Sequence, residues 1–147
     1  MIFPISARGL IPHREGMCCI DTILSVERHK VQACVVLHAD HLLLSGGRTL
    51  DRSGFIELAA QAACALKGAD TEADRGSATA LLASVNNFQI YEDARIGETL
   101  LIRVEITTEL AAMSLLNFNV VCGQRLLATG QLKVFYRAEN ERSMTAQ

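Results

Sequence analysis

DRSGFIELAAQAACALKG, residues 51–68, decides how the rest of this chain must fold. Ten of the thirteen residues from Phe55 to Lys67 are apolar, most of them alanine or another small side chain. A segment apolar nearly all round belongs inside a protein rather than on its surface. Alanine is the strongest helix former, and a slim alanine-rich cylinder lets other backbone come close. Asp51 or Ser53 offers a cap at the start, and Lys67 followed by Gly68 a stop. The expectation is one long buried helix. Two polar residues interrupt it, Glu57 and, four positions on, Gln61, so they share a face one turn apart. A carboxylate so placed is costly to bury unless it is paired, protonated or lining a pocket.

Working outward, the segments on either side read as strands. Residues 18–27 (CCIDTILSVE) and 31–38 (VQACVVLH) are rich in apolar and β-branched side chains, with a turn at His29 and Lys30 between them. Residues 10–17 (LIPHREGM) suggest a short helix or turn ahead of the first. The loop 38–50, HADHLLLSGGRTL, carries His38 and His41 and bends sharply at Gly46 and Gly47 before the helix. Beyond the helix, 69–77 is an exposed polar connection. Four strands follow at 78–91, 98–109, 113–122 and 125–137, and the last two form a hairpin through Cys122-Gly123-Gln124. Residues 138–147 are a polar tail that should fray. Two strands, a buried helix and four antiparallel strands give an α+β protein: a curved sheet wrapped around one helix, the hotdog arrangement. One sheet cannot enclose a helix that is apolar on every side, so a second copy should pack against it as a dimer.

At 147 residues the chain is one domain, 1–147, with an ordered core over about 10–137. A net charge of −2 points to neither nucleic acid nor membrane, and the absence of Trp argues against base-stacking platforms. No apolar run reaches spanning length, and the opening MIFPISARGLIPHREGM has no unbroken signal-peptide core, so a soluble cytoplasmic protein is expected. The five cysteines are odd in number and match no zinc spacing; they read as reduced, buried small hydrophobes. His38, Asp40 and His41 lack a further distant ligand, so no metal is expected. Asn86 and Asn87 either line a pocket or pair with backbone.

Three segments carry a family resemblance. Residues 10–23, LIPHREGMCCIDTI, resemble the opening L-x-P-H-R motif of the FabZ-type 3-hydroxyacyl-acyl-carrier-protein dehydratases. FIELAAQA, residues 55–62, resembles their central-helix E-x-x-A-Q motif, and 84–100, SVNNFQIYEDARIGETL, a later segment containing P-G-D. The chain departs from the usual pattern at definite points. The prolines of H-F-P-G-x-P-x-x-P-G are absent, and Glu57 lies sixteen residues after His41, two more than usual. Ile96 and Glu98 flank Gly97 where the family has proline and aspartate. A divergent branch from aryl polyene clusters, the ApeP-like dehydratases, has a loop of about this length, although Thr49 and Leu50 replace its Val-Pro.

Dehydrating a 3-hydroxyacyl thioester requires a base at C2, an acid for the leaving oxygen at C3, and donors for charge on the thioester oxygen. The resemblance implies His41 as base and Glu57 as acid, meeting across a dimer interface, with Gln61 steadying Glu57 or its water. It implies His13 and Arg14 at the mouth; on its charge alone, Arg14 is a candidate contact for the phosphate arm of a carrier. Ser53 and Gly54, at the helix start, would offer amides to the oxyanion. Neither metal nor cofactor is needed. The partners implied are an acyl thioester on acyl carrier protein or coenzyme A, and a second copy or a related dehydratase, in fatty-acid or polyketide-type synthesis. Glu57 and His41 could instead be a satisfied buried carboxylate and a solvated loop histidine. Two other functions share the fold: a thioesterase whose helix carboxylate directs water at the carbonyl, and a non-catalytic partner subunit.

Overall fold

The computed structural model describes residues 3–7, 18–46, 48–70 and 78–138. In chain order its elements are β1 (Ile5–Ser6), β2 (Thr22–Val26), β3 (Lys30–Val36), β4 (Leu44–Ser45), β5 (Thr49–Leu50), α1 (Gly54–Asp70), β6 (Ala78–Ile90), β7 (Thr99–Leu110), β8 (Met113–Cys122) and β9 (Arg125–Ala138). Seven strands make one antiparallel sheet in the order β1-β2-β3-β7-β8-β9-β6, while β4 and β5 pair with each other. α1 lies across the sheet against β2, β3, β6, β7 and β8. This is the α+β hotdog arrangement expected from the order of the segments.

Alternation decides which side of each strand meets the helix. Val31, Ala33 and Val35 of β3 stand opposite Val104, Ile102 and Leu100 of β7, and all six are buried. Phe118 and Val120 of β8 extend two of these rows, opposite Val104 and Ile102. Arg103 and Glu105, which alternate with them on β7, face outward and are exposed. The helix fills the inner side with Phe55, Leu58, Ala59, Ala62, Ala65 and Leu66. Burying one large aliphatic or aromatic side chain stabilises the fold by roughly 1.5–3 kcal/mol, so these rows fix the register. Gly130 on β9 stands opposite Phe118, and a Cβ there would lie 2.6 Å from the ring's Cε2. The ring occupies the place a side chain would take.

The helix is not covered all round. Ile56, Glu57, Ala60 and Cys64 are only half-buried, a stripe on the side the sheet does not reach. α1 also continues to Asp70, past Lys67 and Gly68, because an interior glycine costs about 1 kcal/mol against alanine without ending a helix already anchored by packing. β2 starts at Thr22 rather than residue 18, since Cys19 gives its amide to Gln61 of the helix while Asp21 still bonds to Cys34 of β3. β1, β4 and β5 are two residues each and have no periodicity to read. The four late strands fall within one residue of their expected ends. The expectations for 10–17, for 71–77 and for the tail beyond 138 lie outside the described residues. No described helix is long and apolar enough to cross a membrane.

Candidate active site

Three segments converge beside the half-covered stripe of α1: residues 18–21, the loop from 37 to 53, and the first two turns of the helix. The loop is held by its own backbone. His41 N donates to His38 O (2.9 Å), Leu44 N to His41 O (3.2 Å) and Asp51 N to Leu43 O (2.8 Å). It is also tied to the segment before β7, through Leu50 N to Ala94 O and Ile96 N to Arg48 O, both 2.8 Å. That segment is pinned in turn by Glu98, which accepts from the Arg95 amide (2.7 Å) and from the Arg125 guanidinium. Burial alone would raise the Glu98 carboxyl; the Arg95 amide and Arg125 outweigh it and hold it below the usual value.

Within this frame three of the candidate residues, His41, Gln61 and Glu57, belong to one hydrogen-bonded chain. Gln61, wholly buried, donates from Nε2 to Glu57 Oε1 at 2.9 Å and accepts at Oε1 from the Cys19 amide at 2.8 Å. On the other side of the same residue, the Cys19 carbonyl lies 3.0 Å from His41 Nε2. The Leu43 amide donates to His41 Nδ1 at 3.1 Å. A nitrogen that receives an N–H is the one carrying the lone pair, so Nε2 holds the proton and donates it to the Cys19 carbonyl. His41 and Glu57 are thus joined within a single chain, through Gln61 and the main chain of Cys19.

The carboxylate opens onto a cavity of about 440 Å³ lined by Cys19, Leu42, Leu43, Ser53, Ile56 and Glu57. That volume is in the usual range for small-molecule sites, roughly 300–1,000 Å³, and half of the lining residues are branched aliphatic. Leu42 is 56% exposed, beside His41 in sequence. Two thiols lie near the carboxylate. Burial, and after it the Glu57 charge, pushes Cys19 up to about 11 and Cys64 likewise to about 11.

At the helix start both candidate donors are bonded within the turn. The Ser53 amide donates to Asp51 Oδ1 at 3.0 Å, the Ser53 hydroxyl to the same oxygen at 2.7 Å, and the Gly54 amide to the Asp51 carbonyl at 2.7 Å. Both amides named as oxyanion donors are therefore engaged in the turn, and the Asp51 carboxyl is held below its usual value by Ser53. Gly54 does not open the backbone to a ligand: a Cβ there would meet Leu50 Cδ1 at 2.9 Å and Leu43 Cβ at 3.4 Å. Its missing side chain serves close packing. His13 and Arg14 lie outside the described residues, and Asn86, like Asn87, is exposed on β6. Among the described residues no group of His, Cys, Asp and Glu could hold a metal ion.

Sequence reasoning overlooked Cys19, Leu42, Leu43 and Ile56. The cysteine was read by its side chain, whereas its amide and carbonyl make the link. The three aliphatics carry no signal that separates a cavity wall from core.

Comparison with known proteins gives the family and the fold. A model of the ApeP-like family, described as ApeP dehydratase, matches residues 5–145. No curated protein matches the chain in sequence. Among solved structures, the dehydratase heterocomplex ApeI:P from Xenorhabdus doucetiae is similar with a TM-score of 0.85 at 17% identity, over 100% of this chain and 99% of that one. The E. coli PaaI protein of phenylacetic acid degradation is similar at 0.61 and 16% identity, over 77% and 80% of the two chains. Zebra fish thioesterase superfamily member 2 is similar at 0.62 and 18% identity, over 82% and 83%. At such identities the structural likenesses establish the hotdog fold alone. The family match spans nearly the whole sequence, site segments included, and by it the chain belongs to the ApeP-like dehydratases.

Proposed function

We propose that this dehydratase removes water from 3-hydroxyacyl thioesters, with His41 as base and Glu57 as acid. The observation that carries the reading is the continuous link from His41 through Cys19 and Gln61 to Glu57 at the wall of an aliphatic cavity. The Cys19 carbonyl fixes the tautomer, so Nδ1 is the nitrogen that takes the C2 proton. Glu57 gives its proton to the C3 hydroxyl, water leaves, and C2=C3 forms. The Leu43 amide on Nδ1 has to yield as substrate enters. For Ser53 to serve the thioester oxygen, Asp51 must likewise release its amide. Nothing in these steps calls for a cofactor.

The carrier is acyl carrier protein or coenzyme A, with His13 and Arg14 as the contacts the family pattern suggests. Fatty-acid, polyketide or aryl polyene synthesis in the cytoplasm is the setting that fits such a substrate. We further propose pairing with a second copy or with a related dehydratase, as in the ApeI:P heterocomplex. Among the described residues β6 pairs along one edge only, and it carries Leu81 and Leu82 exposed.

One observation favours a competing reading. Both ring nitrogens of His41 are engaged, as a non-catalytic partner subunit would tolerate. Thioesterase neighbours keep hydrolysis as a third reading. Incubating the protein with a 3-hydroxyacyl and a saturated acyl thioester separates them: enoyl product, free thiol, or neither. Under the proposal His41→Ala and Glu57→Gln each lower enoyl formation by at least about 10²-fold while the fold persists. Full activity in either variant would remove that residue from the mechanism.

A further inference from the structure

Both feet of the loop that carries His41 stand on one short segment, 92–98. At the loop's start the Leu37 amide donates to the Glu98 carbonyl (2.9 Å) and the Gly97 amide to the Leu37 carbonyl (2.7 Å). At its end the Leu50 amide donates to the Ala94 carbonyl and the Ile96 amide to the Arg48 carbonyl. From that second foot the path to the imidazole is two bonds long. The Asp51 amide donates to the Leu43 carbonyl, and the Leu43 amide to His41 Nδ1. Whatever holds 92–98 in place therefore holds the ring.

Among the described residues, the ion pairs that reach this segment from outside the loop come from one side chain, Arg125. It opens β9 and is fixed by pairing with Cys122 across the β8–β9 turn. One guanidinium nitrogen lies 3.5 Å from Glu92 Oε1, and another donates to Glu98 Oε2. The fork thus grips the segment at its first residue and its last. Glu98 gives its other oxygen to the Arg95 amide, closing the turn through Gly97. A lysine would bring only a point charge, without the planar fork that holds two carboxylates in fixed geometry. The Arg125 side chain is 42% exposed, and ion pairs so exposed add little to global stability. Its effect is local.

We propose, resting on the dehydration reading above, that Arg125 is a positioning residue for His41: by gripping Glu92 and Glu98 together it holds segment 92–98, and with it the loop, where the base must stand. Arg125 does not line the cavity. Its contribution lies in the place of Nδ1 when the C2 proton leaves, and an error of about 1 Å there costs on the order of 10²-fold.

The test uses the full chain as parent, Arg125→Met, Glu98→Gln and the double variant. On a 3-hydroxyacyl thioester, Arg125→Met should lower kcat about tenfold, less than a full misplacement because the Cys19 carbonyl still holds Nε2. KM should stay within about twofold and the melting temperature within about 2 °C. Glu98→Gln, which leaves the Glu92 arm, should lose less, and the double variant should be no slower than Arg125→Met; losses that multiply overturn the shared grip. An unchanged kcat in Arg125→Met overturns the proposal, and so does a kcat that falls only in step with the melting temperature. The ring-nitrogen NMR signals of His41 give a readout independent of turnover. The parent should show one neutral tautomer, protonated at Nε2, and Arg125→Met should show the Nδ1-protonated form exchanging with it. Unmoved His41 signals overturn the proposal whatever the rates do. If the ring responds while the parent dehydrates no 3-hydroxyacyl thioester, the dehydration reading fails and the positioning by Arg125 stands.

Discussion

Replacing Gln61 by leucine would cut the link between the two proposed catalytic groups with little change in volume. Gln61 is 0% exposed and makes bonds of 2.8 Å to the Cys19 amide and 2.9 Å to the Glu57 carboxylate. Loss of a partner by a buried amide costs about 1–3 kcal/mol, and loss of a bond to a carboxylate about 1.5–3 kcal/mol. Leucine returns part of this by being easier to bury, on the order of 1–2 kcal/mol. The net expectation is roughly 2–4 kcal/mol, or about 5–15 °C in Tm for a chain of this size. The effect should also reach His41, because its Nε2–H rests on the carbonyl of the Cys19 residue that Gln61 positions. Misplacing base and acid together should lower kcat by about 10²-fold. Calorimetry gives the first quantity, and the ultraviolet absorbance of the conjugated thioester gives the second. A Gln61→Leu protein that melts and turns over like its parent would refute the network as an energetic unit.

Three further outcomes follow from other parts of the molecule. Gly130→Ala drives a methyl into the Phe118 ring and should cost about 1–3 kcal/mol by chemical denaturation; adding Phe118→Leu should recover much of it, and simple additivity would argue against the contact. Glu98 is held below its unfolded value, so its contribution is present above the ordinary carboxylate range and is lost as pH falls through the depressed value; Glu98→Gln should flatten the acid side of the stability curve, and an unaltered acid limb would count against the pin. Leu82, 44% exposed on β6, should disrupt assembly when changed to lysine without lowering the stability of the single chain; a parent that light scattering already finds as a 16.0 kDa monomer at micromolar concentration would end the pairing proposal.

The helix and the four late strands were legible because each obeys one period over many residues. Ten apolar positions from Phe55 to Lys67 leave no alternative to burial, and Leu100, Ile102 and Val104 alternate with Leu101 and Arg103 over the first half of a strand. Glu57 and Gln61 were visible as exceptions to such a pattern. The rest of the site was not, because it is made by main chain. Cys19 links His41 to Gln61 through its amide and carbonyl, groups every residue except proline has. The engaged helix-start amides were hidden for the same reason: Asp51 and Ser53 could equally have capped the helix or, as here, satisfied each other. Sheet order was beyond reach as well, since nothing in 78–90 announces that its neighbour is the final strand.

That last pairing bears on how the chain is made. β6 is synthesised directly after the helix, yet the strand it bonds to, β9, is the last of the described elements to emerge. At about 5–20 residues per second the ribosome leaves β6 waiting for seconds, its thirteen residues offering bare edge bonds and the side chains of Leu81, Leu82 and Val85. The sheet can close only once β7, β8 and β9 have been laid down in turn, so loop-closure entropy sets a slow, long-range final step. The nascent chain is thus most prone to aggregate between the appearance of β6 and the arrival of β9, and a chaperone acting on it would gain most by shielding that one strand.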